Sequence, residues 1–276
     1  MGTLFGSKFF RMAIAGFVLL AGIMAYFYFS NEGVATEFRQ IRQPRPNLFY
    51  VGIDVSATIG ADMLNDFKNN VIGRVRNFIA DNAASYHIDS FGNPGCGPRS
   101  VISIFSGQSP EDDANFEYKV EKKIGDISAA EKPKPGRPLT TPLYYLLAKV
   151  LGERPGGRII IFSDLLNEDS DCARQYPFPE KAISKFGESK TGQIIFICPA
   201  PHELKIQAQQ EFIARMRKLG SEGKVRVFFH SVPDDPEKRS AFMQSQLRNA
   251  IPATTFELVW ERVSRLMDTI VSAVRG

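Results

Sequence analysis

Short apolar runs and amphipathic segments alternate along most of the chain. Three of the runs are near-continuous stretches of Ile, Val and Phe, typical of strands that are covered on both faces. Together with two less uniform runs they predict five strands, at Leu48–Asp54, Val101–Ser106, Ile159–Ser163, Gln193–Cys198 and Val225–His230. A weaker run over residues 116–124 alternates apolar and polar positions and predicts a strand at a sheet edge.

Apolar residues spaced three or four apart predict helices between these strands. The clearest stripe predicts a helix over residues 61–81 and consists of Leu64, Phe67, Val71, Val75 and Phe78. Further helices are predicted over 143–151 and 206–219. A C-terminal helix follows from apolar residues at positions 256, 259, 263, 266, 270 and 274. This alternation predicts an α/β fold with a doubly wound, mostly parallel sheet.

The N-terminal region differs in composition from the rest. Residues 12–30 carry no charge over 19 positions, which is nearly the length that spans a bilayer core of ~30 Å. We expect an uncleaved membrane anchor, with a cleaved signal peptide as the alternative. The predicted organisation is a tail and anchor over 1–30, a polar stalk over 31–46 and one domain over 47–276. The basic N-terminus favours a domain outside the cytoplasm, periplasmic in a bacterium.

Charge and cysteine content narrow the function classes. The net charge of +4 is spread along the chain, and no basic face interleaved with aromatic residues predicts nucleic-acid binding. The three cysteines, Cys96, Cys172 and Cys198, lack the close paired spacing of a zinc site. One disulfide, or buried and free thiols, are both compatible with the sequence.

Polar residues follow the predicted strands where ligands bind in open α/β sheets, at the carboxyl ends of the strands. The first strand ends in Asp54, with Ser56 and Thr58 in the following turn. Ser163 and Asp164 end a later strand, and Thr140 and Thr141 precede a predicted helix. The plain alternative is that the hydroxyls cap helices and that Asp164 closes a turn.

Three of these elements together resemble the von Willebrand factor A domain. They are the D-x-S-x-T of Asp54, Ser56 and Thr58, the T-P-L-Y that begins at Thr141, and Asp164 after "GRIIIFSD". The resemblance implies a metal-ion-dependent adhesion site whose ligands are these five residues, with Thr141 preferred over Thr140. It also implies a Rossmann-like sheet with one antiparallel edge strand.

Oxygen donors without His or Cys select a hard cation, Mg²⁺ or else Mn²⁺ or Ca²⁺. In the family, such an ion takes a further ligand from a Glu or Asp carboxylate of a partner protein. The expected function is therefore a membrane-anchored, non-enzymatic module that binds an acidic partner through the cation. The resemblance also suggests work beside an AAA+ ATPase or in an envelope assembly.

The sequence leaves two alternatives open. A haloacid dehalogenase-like phosphohydrolase would use Asp54 as its nucleophile, although Ser56 stands where that pattern has a general acid. The other alternative is a von Willebrand factor A scaffold that binds partners without metal.

Overall fold

The computed structural model describes the C-terminal domain of the chain. The described residues are 47–81, 84–130, 140–154, 157–189, 191–254, 256–258, 260, 261, 263 and 264, all within the unit Pro46–Gly276. The predicted anchor over 12–30 and the stalk over 31–46 lie outside them, and the predicted domain boundaries stay predictions. Within the described ranges, no helix combines the length and the apolar character needed to cross a membrane.

A six-stranded sheet forms the centre of the domain. Its strands are β1 (Asn47–Asp54), β2 (Ala84–Phe91), β3 (Val101–Gln108), β4 (Arg158–Phe162), β5 (Gln193–Cys198) and β6 (Val227–Ser231). The spatial order is β3-β2-β1-β4-β5-β6. All neighbours pair in parallel except β2 and β3, which are antiparallel. The α/β class is therefore confirmed, with a mixed sheet.

Helices connect the strands. They are α1 (Ala61–Arg76), α2 (Asp113–Phe116), a π-helical segment (Glu117–Glu121), α3 (Lys122–Gly125), α4 (Leu143–Glu153), α5 (Glu180–Gly187), α6 (Ile206–Ser221) and α7 (Pro236–Ala250). Short 3₁₀ turns cover Gly97–Ser100 and Glu203–Lys205. The described residues between 256 and 264 are helical as well, and we call them the C-terminal helix.

Two hydrophobic cores explain why β1 is apolar throughout. Phe49, Val51 and Ile53 belong to a core shared with α1 and α7, whereas Tyr50 belongs to a second core shared with α4, α5 and α6. Successive side chains of a strand point to opposite faces, so a strand between two cores needs apolar residues at every position. Tyr50 and Val51 are both fully buried, as the sequence predicts.

The structure differs from the sequence prediction in several elements, among them residues 116–124 and strand β2. Residues 116–124 form helical turns and not an edge strand, because Phe116, Val120 and Ile124 are spaced four apart and all enter the core. Strand β2 was not predicted. Its inward residues are apolar at first, but Asp89 and Ser90 are buried as well and interrupt the apolar pattern.

Candidate functional site

The carboxyl ends of β1 and β4 form the candidate site. The two strands are adjacent and parallel, so Asp54 at the end of β1 lies beside Ser163 and Asp164, which follow β4. The chain passes from β1 to β2 on one side and returns to β4 on the other. Such a switch in strand order opens a crevice at the carboxyl edge, which is where α/β sheets bind ligands.

Asp54 is fully buried and both of its carboxylate oxygens accept hydrogen bonds. The Ser56 backbone N–H donates to Oδ1 at 2.9 Å, and the Ser163 hydroxyl donates to Oδ2 at 2.7 Å. Burial, followed by repulsion from Asp164, raises the pKa of Asp54 to about 7, and the Ser163 hydrogen bond opposes that rise. Asp54 is therefore a carboxyl group that changes its charge near neutral pH.

Asp164 is less completely satisfied. Its Oδ1 accepts from the Leu166 backbone N–H at 3.2 Å, while its buried Oδ2 has no hydrogen-bond partner. Burial raises the pKa of Asp164, and the nearby Thr58 hydroxyl partly offsets the rise. A buried acceptor without a donor costs about 1–3 kcal/mol, so this oxygen is a point at which a donor or a cation would be stabilising.

The backbone around the two acids comes close to the Asp54 carboxylate and has two positive φ angles. Gly92 follows β2 with a φ of +85°, and a Cβ atom there would lie 2.9 Å from both Asp54 Oδ1 and the Ser56 backbone nitrogen. Leu165, directly after Asp164, has a φ of +65° although it is not glycine. Strained residues of this kind persist where the surroundings fix them, and they cluster at functional sites.

The serine and threonine hydroxyls do not act as helix caps. Helix α1 begins after Gly60 and α4 after Pro142, and neither of these two residues caps its helix with a side chain. In α4 the Tyr144 N–H instead donates to Asn167 Oδ1 at 3.0 Å. Instead, the Ser56 and Thr58 hydroxyls lie 2.9 Å apart and face the acids. The plain capping alternative is therefore wrong for these hydroxyls, whereas the turn alternative holds in part for Asp164 through Leu166.

The two predicted threonines adjoin the site in different ways. Thr141 is tied to the loop after β4 by its backbone, which exchanges hydrogen bonds of 2.9 and 3.0 Å with Glu168. The Thr140 hydroxyl donates to the Gly95 carbonyl in the loop after β2. Both threonines are buried. The structure thus gathers Asp54, Ser56, Thr58 and Asp164 side by side and brings Thr141 to the same loops through its backbone.

A disulfide joins the same two loops. Cys96 follows β2, Cys172 follows β4, and their Cα atoms are 5.8 Å apart. Cys198 is a buried free thiol at the end of β5, and burial raises its pKa to about 12. Of the cysteine arrangements compatible with the sequence, the structure therefore has one disulfide and one inert thiol.

The predicted cation is compatible with the donor atoms but is not tested by them. Two carboxylates, one of which includes the unpartnered Asp164 Oδ2, and three nearby hydroxyls are oxygen donors of the kind that Mg²⁺, Mn²⁺ or Ca²⁺ prefers. Only two acids take part. No group of three or more His, Cys, Asp or Glu side chains placed to hold a metal occurs in the described part of the chain. The five predicted ligands and the cation stay predictions.

Sequence comparison does not assign the chain to a family. No family model matches it, and no curated protein matches it. The solved structures similar to it include the pilus adhesin SpaC from Lactobacillus rhamnosus GG in its open conformation, with 12% identity and a TM-score of 0.49. They also include the PilB minor pilin from Streptococcus sanguinis, with 11% identity and a TM-score of 0.42.

The aligned regions cover most of this chain but a smaller share of each similar structure. The match spans 76% of this chain, 30% of SpaC and 63% of PilB, so the chain corresponds to about a third of the adhesin and under two thirds of the pilin. At these identities and TM-scores, the likeness carries no argument about function.

The comparisons correct the family prediction. No model of the von Willebrand factor A family or of any other family matches, and the similar structures are those of a pilus adhesin and minor pilins. The predicted membrane-anchored module, which was to bind an acidic partner through a magnesium adhesion site, is corrected with it. The described residues contain no group of three or more His, Cys, Asp or Glu side chains placed to hold a metal. The geometry of the edge where β1 and β4 end is therefore the basis for a function of the domain.

Proposed function

We propose that this domain is a non-enzymatic binding module of the cell surface, used in adhesion or assembly. A partner protein contacts the edge where β1 and β4 end. The observation that carries the proposal is the buried pair Asp54 and Asp164. Burial raises the pKa of both carboxyl groups and costs stability, repulsion from Asp164 adds to the rise at Asp54, and such groups concentrate at functional sites.

The geometry favours binding over catalysis. A phosphohydrolase would need Asp54 as an exposed nucleophile, but Asp54 is fully buried and both of its oxygens accept hydrogen bonds. Ser56, at the position of the general acid in that pattern, has a hydroxyl group that does not titrate in the range such an acid requires. The buried acids instead shape a polar edge that a partner can cover.

The disulfide supports a location outside the cytoplasm. Disulfides persist in oxidising compartments such as the periplasm and the cell surface, and are rare in the cytosol. The Cys96–Cys172 bond joins the loops after β2 and β4, so it fixes the edge that we propose as the binding surface. A binding surface fixed in advance loses less entropy when a partner docks.

The two acids determine which chemical group a partner can present to this edge. A basic side chain placed at this edge would be attracted by the negative charge of the buried Asp54 and Asp164, with no cation between them. A Glu or Asp carboxylate, as on the partner expected from the sequence, would be repelled by both acids unless a cation lay between them. An AAA+ ATPase or an envelope assembly would have to present one of these groups to the edge.

A cross-linking experiment in the native cells tests the proposal. Tagged wild type is compared with a variant carrying Asp54→Asn and Asp164→Asn, and cross-linked proteins are identified by mass spectrometry. Asp113→Asn is the matched control, because its carboxylate is 83% exposed and α2 follows the end of β3, which pairs with the start of β2 at the opposite edge.

We expect one or more partners to cross-link to wild type and to the control but not to the double variant. A partner set that is the same for all three proteins contradicts the proposal. Repeating the capture with and without a chelator distinguishes direct contact by a basic group from contact that needs a cation.

A further inference from the structure

The C-terminal helix begins at a well-defined point. The Thr254 hydroxyl accepts from the Glu257 backbone N–H at 3.0 Å, and Glu257 Oε2 accepts from the Thr254 backbone N–H at 2.7 Å. This reciprocal pair is a capping box, which satisfies two N–H groups that the first turn of a helix otherwise leaves without partners. The Leu258 N–H donates to the Thr254 carbonyl at 3.0 Å and starts the helical hydrogen bonds.

The first turn of this helix is also fixed to the domain. Arg74 of α1 pairs with Glu257 Oε1 at 2.7 Å and donates to the Pro252 carbonyl at 2.8 Å. The Arg74 side chain is only 7% exposed, so this contact is screened less by solvent than a surface ion pair. The position at which the helix leaves the domain is therefore defined by specific contacts.

Beyond its first turn the helix exposes a stripe of large apolar side chains. Phe256 is 74% exposed, Trp260 63% and Val263 45%, and their spacing of four and three residues places them on one face. Helix α6 has the same kind of spacing at Phe212, Met216 and Leu219 but buries all three. Large apolar side chains that are exposed together on one face of a helix mark an interaction surface.

The sequence repeats the same apolar spacing at positions beyond the described residues. Three sets of apolar residues recur every seven positions, at 256, 263 and 270, at 259, 266 and 273, and at 260, 267 and 274. The three sets are neighbours on the surface of a helix. Apolar residues that repeat every seven positions in this way predict the side of a helix that faces the core of a helical bundle. Phe256, Val263 and Trp260 belong to the first and third of these sets, whereas Leu258, which is 44% exposed, lies outside them.

We propose that this apolar stripe binds the same stripe of a second copy of this chain. The seven-residue repeat is the period of helix-to-helix seams, and the face is identical in each copy, as a two-fold interface requires. A lipid surface is disfavoured as the occupant, since residues 256–276 carry three acids and three arginines and so have no basic excess. This surface is separate from the edge formed by Asp54 and Asp164.

The mass of the full chain in solution tests this proposal. Wild type is purified in a mild detergent because of the apolar run over 12–30, and its mass is measured by light scattering with the detergent subtracted. We expect twice the 30.8 kDa of one chain at micromolar concentration. The variant with Trp260→Glu and Val263→Glu is expected to have the mass of one chain, with an unchanged circular dichroism spectrum because both side chains are exposed.

The matched control is Leu204→Glu, which changes a side chain that is 86% exposed and lies on a 3₁₀ turn away from the stripe. This control is expected to keep the mass of a dimer. The proposal is overturned if wild type has the mass of one chain. It is also overturned if the doubled mass survives in the double variant, which would place the contact elsewhere, for example in residues 12–30.

Discussion

The Ser163 hydroxyl donates to Asp54 Oδ2 across 2.7 Å and so connects the ends of two strands that are 109 residues apart in sequence. The same hydroxyl oxygen accepts from the Leu165 N–H at 2.9 Å, which orients its proton towards the carboxylate. Asp54 is thereby partly stabilised in its charged form, whereas Asp164 Oδ2 has no donor. The two acids of the edge are therefore not equivalent.

Removing this hydroxyl should weaken the domain and raise the pKa of Asp54 further. Ser163→Ala leaves the buried Oδ2 without a donor, and we expect a loss of about 1–3 kcal/mol in the free energy of unfolding. Urea denaturation at pH 8 measures the loss. The control Ser106→Ala, at an exposed position on the edge strand β3, should change stability by less than about 0.5 kcal/mol. Equal stabilities of the two variants would show that the bond contributes nothing.

Stability should fall as pH rises from about 4 to about 7. The folded pKa of Asp54 is about 7 and its ordinary value is 3.8, so in this window the folded state holds a proton that the unfolded state has released. The contribution is up to about 1.4 kcal/mol per pH unit. Asp54→Asn removes this titration and should be more stable than wild type at pH 8. Unfolding midpoints at pH 5 and pH 8 measure both effects, and parallel pH profiles of the two proteins would contradict the assignment.

A divalent cation bound at the edge should stabilise the wild-type domain. A ligand that binds only the folded state at 100 times its Kd adds about 2.7 kcal/mol. Melting temperatures are compared in a chelator and in millimolar Mg²⁺, Mn²⁺ or Ca²⁺, for wild type, Asp54→Asn and the control Asp113→Asn. We expect a rise for wild type and the control and none for Asp54→Asn. Identical melting of wild type in all four solutions would remove the cation from the site.

Gly92 should be the least replaceable glycine near the site. Gly92→Ala places a Cβ 2.9 Å from Asp54 Oδ1 in addition to the cost of a positive φ. Gly223 also has a positive φ, +71°, but nothing lies within 4 Å of the position that an added methyl group would take, so Gly223→Ala isolates the backbone cost of roughly 1 kcal/mol. We expect Gly92→Ala to lose at least about 1 kcal/mol more than Gly223→Ala in urea denaturation. A loss no larger than that of the control would show that the edge adapts to the added carbon.

The apolar pattern of the sequence predicts the elements whose environment is uniform. Strands β1, β4 and β5 are apolar because both faces are buried, and the residue pattern alone is enough to find them. Strand β2 escapes prediction because its buried Asp89 and Ser90 resemble loop residues, and their burial depends on neighbours distant in sequence. The helical turns at 116–124 resemble a strand because alternation and four-residue spacing overlap in a short segment.

Part of the candidate site can also be predicted from the sequence, because it follows strands that the apolar pattern identifies. Asp54 and Asp164 can be identified because acids at the ends of apolar strands converge in a parallel sheet. Ser163 stands beside Asp164 in the sequence but is not among the predicted ligands, and its bond to Asp54 appears only once β1 and β4 are neighbours. The pairing of Cys96 with Cys172 is likewise a product of the fold, because the two residues are 76 positions apart.

The central position of β1 has a consequence for synthesis of the protein. The strand is made first among those described, but its neighbour β4 is made only after residue 157. Until then one row of β1 backbone N–H and C=O groups lacks its partner strand, and an open edge of this kind can pair with another chain. A ribosome that stalls before Phe162 would thus present an aggregation-prone nascent chain, and chaperones that cover strand edges would be needed during this interval.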